Sequence, residues 1–214
     1  ILRKMGCVTI ATGIESGSEF IRRDVLNRRI SNQQIMEKAE VVRKHGLRLS
    51  AYNIIGLPME NRERIFETIQ INRAAAIAAS SCTLLEPYPG TPIRALCEEE
   101  GLPREYYPNY DSFLGMAQFV PKMMARDELE GLFRCFSLYV HLPRCLFPII
   151  RLAENNSPEG LVIYESLCEL RRHYFMEKPQ YAEEFTEDPG AGIDECATCT
   201  FVIPDPAQAA EPFL

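Results

Sequence analysis

The chain has 214 residues, 46% of them hydrophobic, enough for a real core in one or two domains. Its formal net charge is −7, and from Met176 onward nine acidic residues face a single lysine, so the body before that point is near neutral. No basic patch with interleaved aromatics appears, which argues against nucleic acid as a primary partner. No apolar run is long enough for a membrane span, so the expectation is a cytoplasmic protein.

Residues 1–101 alternate strand and helix. "CVTIATGI", Cys7–Ile14, is rich in β-branched residues and predicts a strand. "SNQQIMEKAEVVRKHG" predicts a helix, with Ser31 and Gln34 as a capping box, Ile35, Ala39 and Val42 on one face, and Gly46 as the stop. "LRLSAYNII" is a second strand. "NRERIFETIQINRAAAIAA", Asn61–Ala79, predicts a long helix capped by Asn61, with Ile65, Ile69 and Ala76 toward the core. "SCTLLEPYPGTPI" is a third strand entering a turn, and "PIRALCEEEG" a short helix with Pro92 in its first turn. This order predicts parallel strands joined by right-handed crossovers.

Each strand runs into a polar or glycine-containing turn: "GIESGSE", "GLPMEN" and "PYPGTP". Turns at the carboxyl ends of parallel strands are where open sheets and barrels build ligand sites. Three strands make too small a sheet for an independent domain, because a parallel sheet needs both faces covered. The expectation is therefore a piece of a longer protein, with further strands before Ile1.

Residues 102–175 lose the strand pattern. "ARDELEGLFRCFSLYVHL" and "SPEGLVIYESLCELRRHYF" read as amphipathic helices, the second capped by Ser157 with Pro158 at its first position. Between them, "LPRCLFPIIRLAE" predicts helix interrupted at Pro143 and Pro148. Residues 176–214 form an acidic, proline-rich tail in which little regular structure is expected.

The eight cysteines are scattered, and most are expected to be reduced, buried and small-hydrophobe-like. Only Cys196 and Cys199 have ligand spacing, and two thiols fall short of a tetrahedral site. Half of a shared site, a redox pair or no special role all remain open, with no structural metal as the expectation. His45, His141 and His173 are isolated and read as surface or packing residues.

"TGIESGSE", "NIIGLPMEN" and "LLEPYPGTPI", in that order, resemble the second half of the catalytic barrel of radical S-adenosylmethionine (radical SAM) enzymes, most closely the group with a cobalamin-binding domain ahead of the barrel. The resemblance covers about residues 1–101. It implies an α/β fold: the later half of a partial (β/α) barrel over residues 1–101, a helical extension over 102–175, then the tail. It also implies S-adenosylmethionine as cosubstrate, a 4Fe-4S cluster, and cobalamin in that group. The family's C-x-x-x-C-x-x-C cluster motif is absent from this sequence, so no metal-binding and no catalytic residue is assigned here, and the chain alone is expected to be inactive.

The same resemblance places six cosubstrate-binding residues. Glu15 and Ser16 match the polar pair that meets the methionyl and ribose groups; by itself Glu15 also reads as a carboxylate at a helix N-terminus. Arg28 matches a basic position near the methionyl carboxylate, or is a solvated arginine beside Arg22, Arg23 and Arg29. Ile54 and Gly56 match the adenine-lining strand motif, which elsewhere reads as a core isoleucine and a turn glycine. In that motif Tyr52 stands where glycine is usual, and Met59 where glutamate is, with Glu60 one residue later. Tyr88 flanks the adenine or covers the rim.

The implied chemistry is methylation of unactivated carbon or oxidative ring formation on a small molecule such as a tetrapyrrole or lipid, with flavodoxin or ferredoxin as reductant. Tyr139, His141, Arg144 and Arg151 of the extension are candidates to face that substrate. A cobalamin-free radical SAM enzyme, of methylthiotransferase or coproporphyrinogen oxidase-like type, is an alternative, and a non-catalytic barrel-derived binding protein is another.

Overall fold

The structure, a computed structural model, describes residues 1–105 and 115–177, with side chains to residue 173. Cys196, Cys199 and the tail beyond residue 177 lie outside the described residues. Strands β1 (Thr9–Glu15), β2 (Arg48–Ile55) and β3 (Ala79–Leu84) form one parallel sheet in the order β1-β2-β3. Helices α1 (Asn32–Lys44), α2 (Arg62–Ala74) and α3 (Pro92–Glu99) follow the strands in turn. Helices α4 (Arg126–His141), α5 (Phe147–Ala153) and α6 (Pro158–Glu177) form an extension. The class is α/β, an open, partial-barrel-like sheet followed by helices.

The sequence signals act as expected at most boundaries. At the start of α1, Ser31 Oγ accepts from the Gln34 amide at 3.1 Å and Gln34 Oε1 accepts from the Ser31 amide at 3.0 Å. Asn61 Oδ1 caps α2 by accepting from the Arg64 amide at 3.0 Å. Two boundaries differ. Helix α2 stops at Ala74, not Ala79, because Ala76 takes a left-handed φ of 49° and lets Ile77 hydrogen-bond back to the Asn72 carbonyl. Ala75, not Ala76, therefore fills the core position. Pro148 starts α5 in its first turn rather than interrupting it, since proline there costs no hydrogen bond.

On β2 the pleat separates two faces. Leu49, Ala51, Asn53 and Ile55 are buried beneath the helices, while Arg48 and Tyr52 on the opposite face are exposed. One apolar cluster joins α1 to the sheet through Ile14, Ile35, Ala39, Leu49 and Ala51. A larger one joins Ile55, Ile65, Ile69 and Leu84 to Leu129, Leu132 and Phe136 of α4 and Ile150 of α5. Each such side chain contributes about 1.5–3 kcal/mol of burial free energy.

Polar links fix where the extension docks. Glu154 accepts from both terminal nitrogens of Arg62, at 2.9 and 2.7 Å, and from the Tyr139 hydroxyl at 2.5 Å, tying α2, α4 and the end of α5 together. Arg73 of α2 donates to the carbonyls of Tyr139, Val140 and Leu142 at 2.8, 3.0 and 2.6 Å, occupying the orphan acceptors at the end of α4.

The turn after β1 is pressed onto α2. The Gly17 amide donates to Thr68 Oγ1 at 2.7 Å, and a Cβ at Gly17 would lie 2.2 Å from the Glu67 carbonyl oxygen. The obstructing atoms, the Glu67 carbonyl and the Thr68 Cα, are helix backbone and cannot swing aside. Gly17→Ala is expected to lower stability by about 2–3 kcal/mol, read as a shift in the urea midpoint; an unchanged midpoint would mean that the turn lifts freely off α2.

Candidate functional site

The three exit turns gather at one end of the sheet. A cavity of about 480 Å³ opens there, lined by Leu26 and Asn27 from the β1–α1 connection, Ile54 from β2, Thr83 from β3, and Tyr88 and Ile93 beyond it. This volume lies within the range of small-molecule sites. Ile54 of β2 and Tyr88 of the segment after β3 thus come together on its wall.

Glu15 and Arg28 also meet. Glu15 Oε1 accepts from Arg28 Nη1 at 2.9 Å, with both side chains partly exposed. Glu15 sits at a register irregularity in β1 with a φ of 65°, which turns its carboxylate back over Gly13. Arg28 is the chain neighbour of Asn27, a residue of the cavity wall; neither Glu15 nor Arg28 lines the cavity itself.

The long connection that carries Arg28 is organised by a neighbour that sequence reading passed over. Arg22 is wholly buried. Its guanidinium donates to the Ser16 carbonyl, to the Ile30 carbonyl at 3.1 Å and to Asn32 Oδ1 at 2.6 Å. Burial pushes its pKa down, with Glu19 opposing. One buried arginine between Ile21 and Val25, both core residues, was the available signal.

The remaining two candidate residues stand elsewhere. Ser16 is fully buried and its hydroxyl is spent on the Ser18 amide, 3.2 Å, and Thr68 Oγ1, 3.4 Å. Gly56 is buried with a φ of 79°, and a Cβ there would lie 3.1 Å from Leu129 of α4, so its open side faces the extension. Of the extension residues, Tyr139 is buried on Glu154, and His141 Nε2 lies 3.0 Å from Ser80 Oγ. Burial lowers the His141 pKa to about 4, with Arg171 and Arg73 adding to it. Arg151 pairs with Glu154 at 3.3 Å, and Arg144 is exposed.

Beneath the "GLPMEN" turn lies Glu60, fully buried. Its Oε2 accepts from the amides of Gly56, 2.7 Å, and Leu57, 3.1 Å, while Oε1 has no hydrogen-bond partner. The one-residue offset from the motif position is absorbed by Met59, which takes a φ of 62° and bulges outward. The carboxyl thus arrives from position 60 rather than 59.

The described cysteines, among them Cys82, Cys97 and Cys135, form no disulfide, and burial raises the Cys97 and Cys135 thiols to about 12. No group of three or more His, Cys, Asp or Glu residues among the described residues is arranged to hold a metal ion. No described helix is long and apolar enough to cross a membrane.

A hollow of about 480 Å³ at the carboxyl ends of parallel strands is where α/β proteins place small-molecule sites. Residues 1–71, a third of the chain, match the family model described as the Radical SAM superfamily. A 90-residue stretch, 42% of the chain, is 34% identical to an uncharacterized methyltransferase of Pyrococcus horikoshii and spans 19% of that protein. The chain thus covers about a fifth of the length of this relative. The family match includes the first two exit turns, while Tyr88 and the third turn lie beyond it.

Burial raises the Glu60 pKa to about 8 against the opposing pull of the Leu57 and Gly56 amides. Unfolded, the group ionises near about 4.3. Between these limits the folded state holds the extra proton, so stability should fall as pH rises and level off above about 8, by on the order of a few kcal/mol in total. Glu60→Gln keeps an acceptor for the two amides and should flatten that profile, measured as urea midpoints from pH 5 to 8. Parallel profiles for the two proteins would place the titration elsewhere.

Proposed function

We propose that this chain supplies part of the S-adenosylmethionine-binding wall of a radical SAM enzyme, the later half of its barrel (residues 1–101) with a helical extension (102–175). The observation that carries the reading is the Glu15–Arg28 pair, one residue along the chain from Asn27 of an apolar hollow bounded by Ile54 and Tyr88. A methionyl group is a zwitterion. Glu15 can accept from its ammonium while the Arg28 fork donates to its carboxylate, so the internal ion pair is exchanged for two external ones without stranding a charge. Ile54 and Tyr88 offer apolar and aromatic surface to the adenine, and the Asn27 side chain is placed for a hydroxyl.

The described residues offer no cysteine set for a 4Fe-4S cluster, and polypeptide outside them would have to hold it. Held there and reduced by a flavodoxin or ferredoxin, such a cluster would supply the electron that cleaves S-adenosylmethionine into methionine and a 5′-deoxyadenosyl radical. What these residues do is hold and orient the cosubstrate and cover its adenine from water. We take the reaction to be methyl transfer, which the name of the methyltransferase relative supports; cobalamin bound by another part of the protein and a cytoplasmic location complete the reading and rest on the sequence resemblance alone.

In the full-length protein, reconstituted anaerobically, Glu15→Ala should weaken S-adenosylmethionine binding by about tenfold or more, the loss of one charge-assisted contact. Equilibrium dialysis with labelled cosubstrate measures it, and circular dichroism checks that the fold persists. Unchanged affinity would remove the pocket from this end of the sheet.

A further inference from the structure

Resting on that reading, we propose that Arg22 is a positioning residue for the amino-acid half of the cosubstrate, holding Glu15 and Arg28 in register from behind. Its contacts cover both members of the pair. Through its side chain Arg22 donates to the carbonyl of Ser16, the residue after Glu15, and to the carbonyl of Ile30, two residues past Arg28. Through its backbone it meets Arg28 directly, since the Arg28 amide donates to the Arg22 carbonyl at 2.7 Å. That bond closes a π-helical turn over Ile21–Val25, a rare conformation that is frequent at functional sites. The third guanidinium contact is Asn32 Oδ1, and Asn32 Nδ2 donates in turn to the Gly17 carbonyl at 3.1 Å. Arg22 and Asn32 thereby join the β1 exit turn, the Arg28 segment and the start of α1 in one closed ring of bonds.

The ligand's own geometry makes this ring matter. The ammonium and carboxylate of an α-amino acid share one carbon, so both are met at once only if the two receiving groups stand at a matching distance. Glu15 and Arg28 are partly exposed, and no other described side chain pairs with either. Their separation is therefore set by the backbone that carries them, and Arg22 ties that backbone at both ends. Arg22 itself is wholly buried and cannot reach a ligand. A lysine in its place would keep the charge but present a point donor where three acceptors need a planar fork.

The test uses the full-length protein, reconstituted anaerobically, and two probes: S-adenosylmethionine, and 5′-methylthioadenosine, which lacks the amino-acid half. Arg22→Lys and Asn32→Ala should each weaken S-adenosylmethionine by about threefold or more, while affinity for 5′-methylthioadenosine stays within about twofold. Asn32→Ala leaves the buried arginine on its two carbonyls, and it carries the test alone should Arg22→Lys fail to fold. Equal loss for both probes would make Arg22 a support of the fold only, and collapse of both variants would say the same; either overturns the proposal. So does a wild-type protein that does not bind 5′-methylthioadenosine, since the two halves of the site would then not be separable. Unchanged S-adenosylmethionine affinity in both variants, with Glu15→Ala still weakening it, overturns the role of Arg22 and leaves the cosubstrate assignment standing. Failure of the Glu15→Ala result, by contrast, strikes that assignment itself.

Discussion

A methyl group at Gly17 would fall 2.2 Å from the Glu67 carbonyl oxygen, and the Gly17 amide is already committed to Thr68, the next residue of α2. This close approach makes α2 the reference for the whole ligand end of the sheet. It holds the β1 exit turn from behind, so that Glu15 is presented from a fixed backbone. On β2, Asn53 and Asn72 exchange side-chain hydrogen bonds, at 2.7 Å in the shorter direction, and lock the strand to the same helix. At its other side α2 receives the extension through Arg62 and Arg73. Three separate parts of the chain are thereby positioned by one helix of 13 residues.

Buried polar groups carry much of this positioning, and each is matched by specific partners. Arg22 lies inside the β1–α1 connection and is tolerated there because two carbonyls and an amide oxygen meet its fork. Glu60 is the less complete case: two turn amides meet one oxygen, and burial keeps the other neutral by retaining a proton. The contrast with Glu15 is one of environment. Glu15, at a partly exposed edge with an arginine alongside, can exchange partners with a ligand, whereas Glu60 has no route to one and serves the turn.

The local elements were legible because their signals are local. A capping serine with glutamine three residues on, an asparagine before a helix and a proline in a first turn each satisfy groups within one turn of chain, and each behaved accordingly. The end of α2 was misread because a run of alanines contains no stop signal. Tertiary packing, not propensity, drives Ala76 into a left-handed conformation. The likeness of the exit turns to radical SAM barrels was readable too, and the family match over residues 1–71 bears it out for the first two.

By itself the sequence determined the α/β order, the parallel strands, the helix starts and the family of the exit turns, since these depend on neighbours along the chain. Only the tertiary structure decided which candidate residues share a space. It brought Glu15 to Arg28 and Ile54 to Tyr88, turned Ser16 inward to Thr68, and set Gly56 against Leu129. It also delivered a carboxyl from position 60 through an outward-bulging Met59. The physical reason is that side-chain direction at a strand end depends on bulges, left-handed residues and the helix pressing from behind. Those are settled by contacts between segments tens of residues apart, which no local pattern encodes.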